Sequence, residues 1–208
     1  MLRLEKFVKK YGGRQVLDIP SHSFPPGLTY LRGKNGSGKS TLFRCIAGLS
    51  PFEGTILLHS RLQPQKNPVA YRLQVSHSPA EPVFPGFLSG KEILYFAAAT
   101  RSASSRQLDE LIDRFHLELY FENPAQTYSS GMTKKIALAI AFLGNPSLIL
   151  LDEPFITLDS ESCIHLKEMI SASLSVGKSF LLSSHTNIAA DGVEVTSISE
   201  LSNGRLNP

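Results

Sequence analysis

The sequence predicts an α/β protein with a parallel-sheet core, an antiparallel β subdomain at its N-terminus and a helical insertion. Three observations carry this. Leu28-Thr29-Tyr30-Leu31 reads as a short strand that runs into a glycine-rich loop and on into a helix ending at Gly48. Leu148-Ile149-Leu150-Leu151 is a continuous apolar run, the pattern of a strand buried on both faces of a parallel sheet. Between Ser89 and Thr127 the pattern turns helical throughout, inside a chain that otherwise alternates strand and helix.

Taken in order, Leu2 to Val8 alternates apolar and charged residues, as an edge or half-buried strand does. Tyr11-Gly12-Gly13 is a turn, Gln15 to Ile19 a second short strand, and Pro20 to Gly27 a loop rich in Pro and Ser. After the helix that closes at Gly48, Ser50 to Gly54 turns into a strand over Thr55 to His59. Arg61 to Pro68 reads as a polar loop and Ala70 to Ser76 as a buried strand. Pro79 to Gly86 is irregular, with Val83 and Phe84 set out as if exposed. Ser89-Gly90-Lys91-Glu92 is a capping box that opens a helix through Ile93, Leu94 and Phe96. Ser104 and Gln107 form a second box before Leu108, Leu111, Ile112 and Phe115. Tyr128-Ser129-Ser130-Gly131 starts a further helix that Pro146 ends. A helix follows from about Ser160 to Leu174, then a buried strand from Ser179 to Ser183. The tail from Val193 to Leu206 reads as a strand, an Asn203-Gly204 turn and a strand. The expected organisation is one domain over residues 1–208, with a helical subdomain at about 86–127.

The apolar fraction of 42% over 208 residues is ample for a buried core. Net charge is +3 and the basic residues are spread along the chain, so no nucleic-acid partner is expected. Cys45 and Cys163 lie far apart and read as free thiols in a reducing compartment. The start mixes charged and apolar residues, unlike a secretory signal. The longest apolar region, Ile136 to Leu151, is broken at Gly144-Asn145-Pro146-Ser147 and falls short of a membrane span, so a soluble protein is expected.

The chemistry centres on Gly33 to Thr41, G-K-N-G-S-G-K-S-T, which fits the phosphate-loop pattern G-x-x-x-x-G-K-[ST] at Gly33, Gly38, Lys39 and Ser40. A triphosphate is densely charged and well hydrated. A glycine-rich turn lets backbone N–H groups, here of Asn35, Gly36, Ser37 and their neighbours to Thr41, converge on its oxygens. The following helix adds its own N-terminal N–H groups and the positive end of its dipole. Lys39 would reach the β- and γ-phosphates, and the Ser40 hydroxyl would bind Mg²⁺. By composition alone such a register arises in well under about one chain of this length in a hundred. The fold expected is therefore a P-loop NTPase. Asp152 and Glu153 follow the apolar strand in the Walker B arrangement. An Asp-Glu pair after a strand is more often a plain loop, but with the phosphate loop upstream Asp152 reads as a metal ligand and Glu153 as the general base.

Gly33 to Thr41, Ser129-Ser130-Gly131-Met132, Leu148 to Pro154, Leu158-Asp159 and His185 stand in the order and approximate spacing of an ABC-type ATPase domain, which the sequence resembles over almost its whole length. The resemblance implies ATP and Mg²⁺ as ligands and Glu153 and His185 as catalytic residues. It implies that Tyr11 stacks on the adenine, and that Asp159 lies at the D-loop of a dimer interface. Ser129, Ser130, Gly131 and Met132 stand where the family reads S-G-G-Q, a signature that faces the γ-phosphate on the other subunit of a head-to-tail dimer; a Ser cap with free N–H groups is an anion site, though in the isolated chain an ordinary N-cap. The implied partners are a second ATPase subunit, identical or not, and a separate membrane-spanning permease. The implied place is cytoplasmic, on the inner face of the membrane, in an exporter. Val83, Phe84, Phe87 and Leu88 would form the groove for a permease helix. The chain departs from the family where Ser130 and Met132 replace Gly and Gln, and at the Q-loop: Gln74 falls inside the expected strand, and His77 or Ser78 takes the glutamine's place. Rival readings are a soluble ATPase without a permease, a small-molecule kinase, and a non-hydrolysing heterodimer partner.

Overall fold

The computed structural model describes residues 2–184 and 193–207. Two sheets form. β1 (Leu2–Tyr11) lies between β2 (Arg14–Phe24) and β4 (Glu53–Leu58) in an antiparallel three-stranded sheet. The second sheet has six strands in the order β5-β6-β7-β3-β8-β9, formed by β3 (Leu28–Arg32), β5 (Val75–Ser78), β6 (Leu148–Asp152), β7 (Ser179–Ser183), β8 (Ser197–Ser202) and β9 (Arg205–Asn207). It is parallel except for β9, which returns through the Asn203-Gly204 turn with both turn residues at positive φ.

The apolar strands divide their side chains between two cores. Ile149 and Leu151 of β6 face one cluster, with Phe180 and Leu182 of β7; Leu148 and Leu150 face the other, with Leu181. This period-two division explains why the strands read as unbroken apolar runs. Fully burying a Leu or Ile contributes roughly 1.5–3 kcal/mol, whereas exposed ion pairs such as Arg106–Glu110 contribute about 0–1 kcal/mol. The layering therefore holds the fold. The first core is covered by α3 (Gly90–Thr100), α4 (Ser105–Arg114), α5 (Ser130–Phe142) and α6 (Ser160–Ser175). The second lies under the antiparallel sheet and α1 (Lys39–Ile46).

Three expectations are corrected. β2 runs on through Pro20 to Phe24 where a loop was expected; it is an edge strand, which tolerates a residue without an N–H. Pro68 to Gln74 forms α2 instead of the start of a strand. Pro68 sits in its first turn, and Tyr71 is fully buried with its hydroxyl donating to the Ile46 carbonyl at 2.7 Å. The strand β5 is thereby delayed to Val75. At Ser104 only half of the capping box forms: its hydroxyl accepts from Gln107 N–H, but the Gln107 amide donates to the Phe142 and Gly144 carbonyls and accepts from Gly144 N–H.

The box at Ser89 is complete. The helical segment it opens is closed at its neck, where Ala125 N–H donates to Leu88 at 2.8 Å and Gln126 N–H to Gly86 at 3.1 Å. Tyr128 completes the closure, its hydroxyl accepting from Gly90 N–H and donating to the Asn123 carbonyl, both at 2.8 Å. A Cβ on Gly90 would lie 2.5 Å from that hydroxyl and 2.9 Å from Ile136 Cδ1. Gly90→Ala is expected to cost about 1–3 kcal/mol, read as a lower urea midpoint at unchanged slope.

Candidate functional site

In-register parallel strands deliver several loops to one edge: Asp152 of β6 pairs with Ser183 of β7, Leu31 of β3 also pairs with Ser183, and Ser78 of β5 pairs with Leu151. A crevice outside the carboxyl ends is where open α/β sheets bind ligands. Here it is a cavity of about 460 Å³.

Its first wall is the glycine-rich loop. Gly38, which precedes α1, has φ of 105°, and a Cβ there would lie 2.8 Å from Leu17 Cδ2. Only glycine turns the loop into the helix there. The first N–H groups of α1 have no partner within the helix. Lys39 is 8% exposed, and its ammonium donates to the Gly33 carbonyl at 2.7 Å and the Lys34 carbonyl at 3.3 Å, spanning the loop. Ser40 and Thr41 line the cavity beside it. Asn35, Gly36 and Ser37 line it too, and also border a cavity of about 860 Å³ toward the β8–β9 turn.

The second wall holds two carboxylates. Asp152 is 2% exposed and accepts the Ser183 hydroxyl proton at 2.5 Å. Glu153 is 7% exposed and sits at φ of 46°, a left-handed conformation that costs a non-glycine residue energy and clusters at functional sites. Its N–H donates to the Ser183 carbonyl at 3.0 Å and hydroxyl at 3.2 Å. Ser183 thus fixes both residues. No motif marked it; only its place at the end of the strand beside β6 does.

Ala80 and Glu81 form the third wall and Val16 a fourth, none of them singled out by the sequence reading. The expected Q-loop residues are elsewhere. Gln74 ends α2. His77 and Ser78 lie within β5: the His77 ring stands edge-on to Phe43 at 6.4 Å, burial pushes its pKa down to about 4, and Ser78 is fully buried. Because α2 consumes the first half of the expected strand, the residues that emerge at the cavity fall later in sequence.

Tyr11 ends β1 and is not a wall of the cavity; it is half-exposed, with the Lys9 ammonium 4.3 Å from its ring centroid. Ser129 to Met132 are likewise outside it. Ser129 caps α5, its hydroxyl accepting from Met132 N–H at 3.2 Å while its own N–H meets the Met132 sulfur at 3.5 Å. A thioether takes the place of the usual carboxylate or amide of the box. A Cβ on Gly131 would lie 2.7 Å from the Thr157 carbonyl oxygen, so this helix start packs closely on the β6–α6 loop. Asp159 caps α6 through Ser162 N–H at 2.8 Å and pairs with Lys135 at 2.6 Å; these contacts hold its pKa well below the usual carboxylate range. His185 lies outside the described residues.

Among the described residues the walls offer one ammonium against Asp152, Glu153 and Glu81. The oxygen donors, a hydroxyl and carboxylates, suit a hard cation. Among the described residues no group of three or more His, Cys, Asp or Glu forms a self-sufficient metal site. This fits Mg²⁺, which binds through one or two carboxylates with phosphate oxygens and water completing its shell.

The family model described as ABC transporter matches residues 19–156. The chain is 31% identical over 196 residues to the phospholipid-transporting ATPase ABCA7 of Homo sapiens, covering 89% of this chain and 9% of that protein. It is 31% identical over 196 residues to the Nod factor export ATP-binding protein I of Sinorhizobium fredii, covering 91% of this chain and 57% of that one. The chain thus spans under a tenth of the first relative and little more than half of the second. A solved structure of the ATP binding subunit of an ABC transporter superposes with a TM-score of 0.88 at 29% identity, covering 100% of this chain and 88% of that one.

A depressed carboxylate pKa contributes stability above its unfolded value and loses it as pH falls through the folded value. Asn caps helices as well as Asp, so Asp159→Asn isolates the charge. The melting-temperature gap between the two proteins is expected to stay constant from about pH 8 to about pH 5 and to shrink below about pH 4.

Proposed function

Because this chain belongs to the ABC transporter family, whose model matches two-thirds of it, we propose that it is the ATP-hydrolysing subunit of an exporter. In this reading residues 1–208 act as one ATPase domain, with 86–127 as its helical subdomain, paired head-to-tail with a second such subunit and seated on a separate permease at the cytoplasmic face of the membrane. The observation that carries the reading is the cleft lined both by Lys39, whose ammonium spans the glycine-rich loop, and by two carboxylate residues held by Ser183. The likeness to a protein described as the ATP binding subunit of an ABC transporter supports a separate permease. The likeness to a protein named for Nod factor export supports the direction.

The roles of the loop, Lys39, Ser40, Asp152 and Glu153 follow from their chemistry, and those of His185, Tyr11, Ser129 to Met132 and Asp159 from the family resemblance. Backbone N–H groups from Gly33 to Thr41 and the Lys39 ammonium bind and orient the phosphates of ATP. Ser40 and Asp152 hold Mg²⁺, which neutralises phosphate charge when bound. Glu153, nine-tenths buried and fixed through its backbone by Ser183, orients the attacking water and accepts its proton. His185 contacts the γ-phosphate and Tyr11 stacks on the adenine. Ser129 to Met132 present a capped helix start to the γ-phosphate held by the partner, and Asp159 lies at that interface.

The permease contact is narrower than the sequence suggests. Val83 and Phe87 are 89% and 81% exposed, while Phe84 and Leu88 pack against the core. Val83 and Phe87 are the docking residues in this reading. Among the described residues no helix is long and apolar enough to cross a membrane.

Glu153→Gln is expected to retain ATP binding and lose roughly 10²- to 10⁴-fold in turnover; near-normal turnover removes Glu153 as the base. Lys39→Ala is expected to weaken ATP binding by about 1.5–3 kcal/mol by calorimetry; an unchanged affinity takes Lys39 out of the site. Pull-down of the tagged Glu153→Gln protein with ATP is expected to recover a multi-span membrane protein, and Phe87→Asp to lose it. Recovery of only soluble partners would favour an ATPase acting without a permease.

A further inference from the structure

Lys134 lies one turn inside α5 and is 1% exposed. Lysines are almost never buried to this degree without a charged partner. Here the ammonium's three protons go to three backbone carbonyls: Pro79 at 2.9 Å, Ala80 at 3.2 Å and Asp152 at 2.9 Å. Three donors is the full capacity of the group. Burial still pushes its pKa down to about 8, against the pull of the Asp152 and Glu153 charges. An apolar residue at this point of α5 would suit the helix equally well, so helix formation does not account for the charge.

The acceptors are informative. Asp152 ends β6 immediately before Glu153, and Ala80 is itself a wall of the cleft. Pro79 and Ala80 begin the segment that carries Val83 and Phe87 to the surface. Ala80 has no side chain that could reach a ligand; the polar link to this segment arrives from α5 instead.

We propose that Lys134 is a positioning residue that ties the carboxylate end of β6, the Pro79–Gly90 segment and α5 into one unit, so that nucleotide binding in the cleft is felt at Val83 and Phe87. This rests on the ATP-binding reading above. Lys134 touches neither substrate nor metal; it acts through the backbone of residues that do. Replacing its ammonium by an apolar group would leave three carbonyls short of donors and free the segment from the cleft.

The test is hydrogen exchange of the full chain with and without ATP and Mg²⁺, together with steady-state kinetics. In the wild type, ATP is expected to slow exchange both at residues 33–41 and at 79–90. Lys134→Met keeps the stem and removes the donors. It is expected to keep protection at 33–41, lose it at 79–90, and lower kcat by about 10- to 100-fold with KM for ATP within about threefold. Lys134→Gln, with two donors, is expected to recover part of both, and carries the test if Lys134→Met fails to fold. Protection at 79–90 undiminished in both variants, or a lower melting temperature with kcat unchanged, would overturn the proposal and leave Lys134 a purely structural contact. Absence of protection at 33–41 in the wild type would instead remove the ATP-binding reading, and the proposal with it.

Discussion

The pairing of Asp152 with Ser183 across β6 and β7 is the contact on which the cleft depends. Parallel strands in register bring their carboxyl ends to one edge, so a loop leaving one strand lies beside the last residue of the next. Ser183 uses this closeness twice: its hydroxyl donates to the Asp152 carboxylate, and its oxygens accept the Glu153 N–H. Glu153 is thereby held in a left-handed backbone conformation that a free loop would relax. The sheet meets the cost by being buried on both faces, where unpairing a strand would leave its backbone N–H and C=O groups without partners and out of reach of water.

Charge is concentrated where the fold is driest. Lys39, Lys134, Asp152 and Glu153 are all under a tenth exposed. Removing one ion from water costs several kcal/mol even after relaxation. A chain selected for stability alone would place apolar residues at such positions. The cost is limited in two ways. Each ammonium is satisfied by backbone carbonyls, which need no second ion. Lys134 also feels the Asp152 and Glu153 charges, and Lys39 lines the same cavity as these carboxylates. Groups so arranged retain their field for a ligand that enters between them.

Much of this was legible in the sequence because it was local. The strand–loop–helix at Leu28 to Gly48, the apolar run at Leu148 and the caps at Ser89 and Ser129 each depend on neighbours within a few residues. What was missed depends on tertiary partners. Tyr71 anchors α2 as a helix through burial and a hydrogen bond to the Ile46 carbonyl that no sequence window reveals, and with β5 delayed to Val75 the cleft wall falls at Ala80 and Glu81 and not at His77 and Ser78. Pro20 could be read as a strand residue only by knowing that β2 is an edge. Ser183 and Lys134 carry no motif, since their roles come from carbonyls and carboxylates that are distant in sequence.

Two consecutive lysines on α5 complete the picture. Lys134 turns inward to the cleft's backbone, while Lys135 turns to Asp159 at the cap of α6. Gly131, one turn earlier, admits the Thr157 carbonyl so closely that any side chain would force the two segments apart. The opening of α5 is therefore held from three directions by residues of its own chain: the end of β6, the Pro79–Ala80 backbone and the loop that leads to α6. A helix start fixed in this way presents its first N–H groups in a direction set by the backbone at the end of β6 and at Pro79–Ala80.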